Sequence, residues 1–212
     1  MSRFKLLAFM VLLAVPFFDV VHVRAESDTS RETSQAAKVG FPKKGVKFYN
    51  LLLGFTSWTE RVSLTRGQTS DSALANLFGN TVMFELERYP VARWGYYLQG
   101  EALFGYANVG GSQAGIPYQL AGQPWFGTAV AARGGYRIIK EVAFTLGPIA
   151  LYRQMDLPPA TNISVRSGAD FNFGATVDMR IRLATHWELR QEIGTLMVNA
   201  TTFWSLGFGH KF

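Results

Sequence analysis

Large apolar side chains recur at every second position over long stretches of the chain, with polar or small residues between them. In residues 170–183, one face carries mainly phenylalanine, valine, methionine, isoleucine and leucine, and the other carries Asp178, Arg180 and Arg182. A period of two is typical of β-strands, whose successive side chains point to opposite faces. The pattern predicts eight strands, at 47–60, 79–89, 93–107, 125–138, 141–153, 168–183, 187–198 and 202–212.

The predicted strands are long, and their connections differ in length. Strands of soluble proteins usually have about 5 or 6 residues, whereas a strand tilted across a bilayer needs about 9 to 11. Tight turns at 89–93, at 139–141 and around Thr185 alternate with the longer segments 61–78, 108–124 and 154–167. Outer-membrane barrels show this alternation, with short periplasmic turns and longer external loops. An even number of strands then places both termini in the periplasm.

The expected fold is all-β: a closed, eight-stranded antiparallel transmembrane β-barrel with short periplasmic turns and longer external loops. A soluble β-sandwich or lipocalin-like barrel would show the same alternation with its apolar face inside, so this alternative stays open. Aromatic residues near the strand ends favour the membrane barrel, because they could form its two interfacial girdles. These residues are Trp58, Tyr89, Trp94, Tyr106, Trp125, Tyr136, Tyr152, Trp187 and Trp204.

The first 25 residues are laid out as a secretory signal peptide. A basic start precedes an apolar run of 13 residues from Leu6 to Phe18, and Ala25 ends a suitable cleavage site. An uncleaved anchor is less favoured, since a spanning helix needs about 20 apolar residues. We expect a signal peptide at 1–25, a flexible periplasmic segment at 26–46 and the barrel at 47–212. The predicted location is the bacterial outer membrane, after export and signal-peptide removal.

Composition adds little about partners. The chain has no cysteine, which excludes disulfides and a lipid-modified cysteine. Its formal charge is +6, and removal of residues 1–25 takes away three basic residues and one acidic residue, leaving +4. No run of lysine and arginine points to nucleic acid, so none is expected as a partner.

The last strand carries the most specific motif. Apolar residues alternate up to a final aromatic residue, at Trp204, Leu206, Phe208 and Phe212. With the exported, eight-stranded layout, this ending resembles the small bacterial outer-membrane β-barrels of the OmpA/OmpX-like superfamily. The resemblance implies that these four residues are read by the barrel-assembly machinery, and that the mature protein is surrounded by outer-membrane lipids. His210 departs from the apolar residue or tyrosine usual at its position.

If the apolar faces point to lipid, eleven charged residues point into the barrel, six acidic and five basic. An eight-stranded barrel is just wide enough for side chains, so these groups should pair across it and block a pore. The strongest candidates for such a plug are Glu101, Arg133, Arg180 and Glu188. The alternative is that several of the charges lie in water near strand ends, where pairs contribute about 0 to 1 kcal/mol. The predicted lumen charges are Glu85, Glu87, Glu101, Arg133, Arg137, Asp178, Arg180, Arg182, Glu188, Arg190 and Glu192.

Catalytic and metal-binding motifs are weak. Lipid A acylases and deacylases of this size use a histidine and a serine with an acidic partner. Beyond the signal peptide only His186 and His210 remain, and both fall at the predicted periplasmic end, without a nearby serine motif. His186 with Glu188 is too sparse for a metal site. We therefore expect no enzymatic activity, no catalytic or metal site and no cofactor.

The expected function is an integral outer-membrane barrel with a structural or surface-interaction role and a side-chain-filled lumen. The uncharged segment from Asn108 to Pro124 is a candidate for binding an external ligand. A narrow channel for small solutes is the alternative, and a lipid A-modifying enzyme is less favoured.

Overall fold

Antiparallel strands make up almost all of the computed structural model, which describes residues 41–113, 115–159, 163–165, 168–198 and 201–212. The predicted signal peptide and residues 26–40 lie outside this part of the chain. No helix within the described residues is long and apolar enough to cross a membrane. The strands are β1 (Lys47–Arg66), β2 (Thr69–Val91), β3 (Trp94–Gln113), β4 (Ile116–Arg137), β5 (Val142–Met155), β6 (Ser164–Val165), β7 (Gly168–Arg182), β8 (Trp187–Leu196) and β9 (Thr201–Lys211).

Eight of these strands form a closed ring. Each pairs antiparallel with the next in the order β1, β2, β3, β4, β5, β7, β8, β9, and β9 returns to β1 through nine paired positions from Asn50↔Lys211 to Trp58↔Phe203. The two-residue strand β6 adds to β1 at Leu64 and Thr65 outside the ring. Because β9 pairs with β1, the ring of eight strands has no free edge. The predicted eight-stranded antiparallel barrel is confirmed.

The apolar faces point outward. In β7, Phe171 and Phe173 are 55% and 56% exposed, whereas Asp178 and Arg180 are 0% and 1% exposed. Neighbouring strands repeat this arrangement, with large apolar residues outside and charged residues inside. A soluble barrel would have the opposite orientation. The exterior is therefore a continuous apolar band of the kind that lipid covers, which identifies a transmembrane barrel.

The barrel is taller on one side than on the other. Strands β1 to β4 have 20 to 23 residues, whereas β5, β7, β8 and β9 have 10 to 15. β1 and β2 form one extended hairpin and β3 and β4 form the other; Gly67 and Gly115 have φ angles of +58° and +78° at their tips. Glycine adopts these left-handed angles without steric cost.

The extended hairpins correct two predicted loops. Residues 61–78 and 108–124 were expected to be external loops, but they continue the strands, apart from the tight tips. The third predicted loop, 154–167, begins within β5 and contains irregular backbone at 156–159 and the short strand β6. Small residues such as Ala73 and Ala75 face inward in the extensions, so the pattern there lacks the bulky alternation of the membrane-level strands.

The interior of the barrel near the hairpins is apolar, which the expected polar lumen did not anticipate. We call this region the upper core; it includes Trp58, Leu77, Leu103, Trp125 and Phe203. The rings of Trp58 and Trp125 meet edge to face inside the barrel, with centroids 4.8 Å apart. Burial of this apolar surface stabilises the extended hairpins, whose inner faces it covers.

Part of the predicted aromatic girdle is also wrong. Trp58, Tyr89 and Trp125 lie inside the barrel and are at most 4% exposed. Each of the three is an even number of positions away from the inward-facing residues of its own strand, so the alternation of side chains places it inside. Proximity to a strand end was the weaker criterion. The remaining six predicted girdle residues lie on outward positions, namely Trp94, Tyr106, Tyr136, Tyr152, Trp187 and Trp204.

Candidate functional site

All eleven predicted lumen charges lie on inward-facing strand positions, in the half of the barrel that carries the C-terminus. Ten are buried, and Glu101 is partly buried. Lys211 joins them from the end of β9 and is 3% exposed. The set therefore contains six acidic and six basic residues and is formally neutral. We call it the lower lumen network.

Arg180 on β7 lies at the centre of this network. Its guanidinium forms a two-pronged contact with the Glu85 carboxylate across the barrel, and its Nη2 is 3.0 Å from Asp178 Oδ2. Its Nη1 is 3.6 Å from Glu188 Oε1, and the group lies 4.0 Å over the ring of Tyr97. A planar guanidinium suits such a bidentate contact, and three carboxylates compensate its burial.

Two further arginines extend the network towards the middle of the barrel. Arg190 Nε is 2.9 Å from Asp178 Oδ2, and its Nη2 pairs with Glu192. Arg133 pairs with the same Glu192 carboxylate and donates from Nε to Thr176 at 2.6 Å. Both arginines also donate to the side-chain oxygen of Gln99. Glu192 and Gln99 therefore bridge two cations that would otherwise repel each other.

The bottom of the lumen is filled by a second group. Glu87 pairs with Lys211 and accepts a hydrogen bond from Tyr89, and its Oε1 is 3.5 Å from Arg137 Nη2. Arg137 also donates to the Tyr89 hydroxyl at 2.6 Å. Asn50 Nδ2 donates to Glu85 at 2.9 Å and to Glu87 at 3.3 Å, which joins this group to Arg180.

Glu101 lies at the upper limit of the network. Its carboxylate accepts a hydrogen bond from Gln99, the residue that Arg133 and Arg190 share. Beside it is a cavity of about 20 Å³ whose other walls are mostly apolar upper-core side chains such as Leu103 and Ile149. A space of this size holds about one water molecule.

The four residues expected to form the plug are thus all present in the lumen, but they are not one cluster. Arg180 contacts Glu188 directly, and Arg133 is linked to Arg180 through Asp178, 3.5 Å from Arg133 Nη1. Glu101 is joined to Arg133 and Arg190 through Gln99 rather than by a direct ion pair among the described residues. The last of the predicted lumen charges, Arg182, is the final residue of β7; it faces inward and is 9% exposed.

Sequence reasoning missed several buried polar residues. Lys211 lies at an inward position of the last strand but was not among the predicted lumen charges. Glu60 and Arg153 form another buried pair, 3.0 Å apart, next to the upper core, where Trp58 Nε1 donates to Glu60 at 3.2 Å. Their parity matches the inward faces of β1 and β5, so strict alternation along each strand could have found all three.

The terminal strand has the predicted alternation. Trp204, Leu206, Phe208 and Phe212 point outward, as does His210. Phe212 completes the closure with β1: its backbone N donates to Tyr49 O at 2.8 Å, and its O accepts from Tyr49 N at 3.4 Å. Recognition of these side chains by assembly machinery stays a prediction.

The two histidines lie together at the C-terminal end of the barrel. The rings of His186 and His210 stack with centroids 5.4 Å apart, and His186 Nδ1 is 3.0 Å from the backbone oxygen of Lys211. Within the described residues, no group of three or more histidine, cysteine, aspartate or glutamate side chains could hold a metal ion.

The closed strand order, the apolar exterior and the charged interior together decide the architecture. The fold is that of a small outer-membrane β-barrel. No protein-family model and no curated protein matches the chain. Solved structures that resemble the barrel include Ail, the attachment invasion locus protein of Yersinia pestis, at 14% identity and a TM-score of 0.46, covering 80% of this chain and 100% of that one.

Two other similar structures are outer-membrane or surface proteins. OprG from Pseudomonas aeruginosa is 11% identical, with a TM-score of 0.49 over 80% of this chain and 97% of its own. Neisserial surface protein A is also 11% identical, with a TM-score of 0.40 over 77% of this chain and 95% of its own. The eight-stranded layout on which the predicted resemblance depends is confirmed by the closed ring itself.

Proposed function

We propose that the protein is a non-enzymatic barrel of the bacterial outer membrane, with a closed lumen, that presents its two extended hairpins to the cell exterior. The observation that carries the proposal is that side chains fill the interior along its length, charged ones in one half and apolar ones in the other. The lower lumen network fills the half at the C-terminal end, and the upper core fills the half towards the hairpins.

The contacts of the network support a closed lumen. Arg180 on β7 reaches Glu85 on β2, and Arg133 on β4 reaches Glu192 on β8, so side chains connect strands on different sides of the barrel. Opening a water path here would separate buried charges from their partners, which is costly for each pair broken. Next to Glu101, the cavity of about 20 Å³ is far smaller than a solute path.

The hairpins support a role in surface interaction. They are antiparallel ladders that continue to their tips, with Arg66 paired to Thr69 and Gln113 to Ile116. The β1–β2 ladder is uninterrupted, and the β3–β4 ladder has one register shift between Ala107 and Val109. Their outward positions are mostly polar and exposed, including Arg61, Ser63 and Asn76. A surface that is ordered before binding loses less conformational entropy when it contacts a partner than a mobile loop does.

The orientation and the display role can be tested on intact cells. A short epitope tag would be inserted after Gln68 or after Gly115, and a matched tag would be inserted at Lys140, in the turn at the opposite end. Antibody binding to unbroken cells at the hairpin sites, but not at Lys140, is expected. Binding at Lys140 alone would reverse the orientation and remove the display role.

A narrow channel is the second candidate, because the cavity beside Glu101 leaves the lumen imperfectly packed at one level. Liposomes containing the refolded protein would be diluted into small sugars or amino acids, with a general porin as the positive control. The closed-lumen proposal expects no swelling above that of empty liposomes. Swelling comparable to that of the porin would make transport the function.

A further inference from the structure

Two basic residues lie directly opposite each other on the outer face of the barrel, at the end that carries the C-terminus. The register of β1 and β2 pairs Lys47 with Arg88, and both side chains are exposed. Like charges in directly opposed positions destabilise a sheet. Neither side chain forms an ion pair with another of the described residues.

The pair lies immediately beyond the apolar band. The next outward positions along the two strands are Tyr49 and Leu86, followed by Leu51 and Phe84. The rings of Tyr49 and Phe84 are stacked 6.2 Å apart and are 48% and 56% exposed. Two residues of a strand span about 7 Å, so the cations lie one step past the membrane-covered side chains, at the depth of lipid head groups.

Other exposed cations surround the same end of the barrel. Residues 43–46 are held against β2 just before its turn to β3, since Gly45 N donates to Tyr89 O at 2.7 Å. This places Lys43 and Lys44 near the pair. Arg93 lies across the same turn, 4.9 Å over the ring of Phe41. Glu141, beside Lys140, is a partly exposed carboxylate at this end, so its charges are predominantly basic, whereas at the hairpin end Arg61 and Asp71 have opposite signs.

We infer that Lys47 and Arg88 bind the phosphate of an anionic phospholipid in the leaflet at the C-terminal end of the barrel. A phosphate between the two side chains would convert a repulsive pair into two attractive contacts. The fork of Arg88 can bind two phosphate oxygens, and Lys47 adds a point charge. Acyl chains of that lipid would lie along Leu51 and Phe84. The anionic charge explains why two cations are tolerated at directly opposed positions.

The test compares wild-type protein with a Lys47→Gln, Arg88→Gln variant. Both are refolded in micelles containing phosphatidylglycerol and phosphatidylcholine, folding is verified by the heat-modifiable gel shift, and bound lipid is counted by native mass spectrometry. A cation near an anionic lipid surface contributes about fivefold in affinity. We therefore expect the variant to lose about 25-fold in selectivity for phosphatidylglycerol. Unchanged selectivity would overturn the inference.

A charge-matched control separates a site from diffuse attraction. The Lys44→Gln, Lys140→Gln variant loses the same net charge from the same end of the barrel but leaves the pair intact, and it should keep wild-type selectivity. An equal loss in this control would show that the whole rim attracts lipid without a site. Inorganic phosphate is added in a separate arm; displacement of the lipid by phosphate at equal concentration would identify a site for the free ion instead.

Thermal stability gives a second readout that does not depend on lipid counting. In zwitterionic micelles, Lys47→Glu should melt above wild type, because it replaces a repulsive pair with an attractive one. Added phosphatidylglycerol should raise the melting temperature of wild type and not that of Lys47→Glu. If the lipid raised both melting temperatures equally, the pair would not be the binding site.

Discussion

Replacing Arg180 by leucine removes the bidentate partner of Glu85, a cation that also contacts Asp178 and Glu188 in the lower lumen network. Asp178 would keep Arg190 Nε at 2.9 Å, Arg133 Nη1 at 3.5 Å and a hydrogen bond from Thr145 at 2.6 Å. Glu85 would lose its bidentate partner and keep only Asn50 at 2.9 Å and Arg190 Nη1 at 3.9 Å. Glu188 would lose its contact with Arg180 and keep Lys211 Nζ at 3.7 Å. Of the three carboxylates that Arg180 contacts, Glu85 therefore loses the most compensation.

The magnitude follows from that uncompensated charge. Removing one partner of a buried ion pair costs about 3 to 5 kcal/mol, because the other partner stays buried. The Arg180→Leu, Glu85→Gln double variant removes both charges and leaves an amide that Asn50 can still contact. We expect it to recover about half or more of the lost stability, since replacing both partners costs less than orphaning one.

The assay is equilibrium urea unfolding of the refolded barrel in lipid vesicles, followed by tryptophan fluorescence. Arg61→Gln is the control, because Arg61 is exposed on an extended hairpin and should contribute less than about 0.5 kcal/mol to stability. A loss below about 1 kcal/mol for Arg180→Leu would refute the assignment of Arg180 as the centre of the network. A double variant less stable than Arg180→Leu would refute the pairing with Glu85.

Three further changes test other parts of the structure. Gly147→Ala should destabilise the barrel by about 2 kcal/mol or more, because its Cβ would clash with the backbone oxygen of Ala132. Gly100→Ala has open space around its Cβ and should have little effect; equal free energies of unfolding for the two variants would contradict the close contact at Gly147. Leu77→Ala should cost about 2 to 5 kcal/mol in the upper core, against less than about 1 kcal/mol for the exposed Leu74→Ala, and a small loss at Leu77 would show that the upper core is not packed. Deleting Phe212 should lower the amount of folded protein in the outer membrane of expressing cells while refolding into micelles persists, whereas Phe171→Ala should accumulate normally; normal accumulation without Phe212 would remove its role as an assembly signal.

The membrane-level part of the fold was predictable because bulky apolar residues and charged residues occupy opposite faces there. Along β7 the sequence places Phe171, Phe173 and Val177 against Asp178 and Arg180, and the structure keeps this assignment. Every predicted lumen charge follows from the same parity. Which of them pair could not be predicted, because contacts such as Arg180 with Glu85 depend on how the ring closes.

The extended hairpins were missed for a physical reason. Outside the membrane, an outward position no longer needs an apolar residue, so Asn76 and Ser72 alternate with Ala75 and Ala73 and resemble a polar loop. The prediction of a charged interior was also incomplete, because the inward side chains change from charged to apolar along a single strand. In β1 this change occurs between Asn50 and Trp58, both of which face inward.

The upper core also shows the limit of using aromatic residues as membrane markers. Trp58 and Trp125 stand near strand ends in the predicted layout, yet they pack on each other inside the barrel. Trp94 and Trp187 have similar positions along their strands but opposite parity relative to the lumen charges, and both are exposed. Parity, rather than distance from a strand end, distinguishes the two groups.

Single-channel conductance of the refolded protein in a planar bilayer tests the closed lumen most directly. Folding is first verified by the heat-modifiable gel shift, and the Arg180→Leu variant is recorded beside wild type. The filled lumen predicts a silent wild-type barrel, with any openings confined to the variant. Discrete, reproducible openings of the folded wild-type protein would contradict the closed lumen and make transport its function.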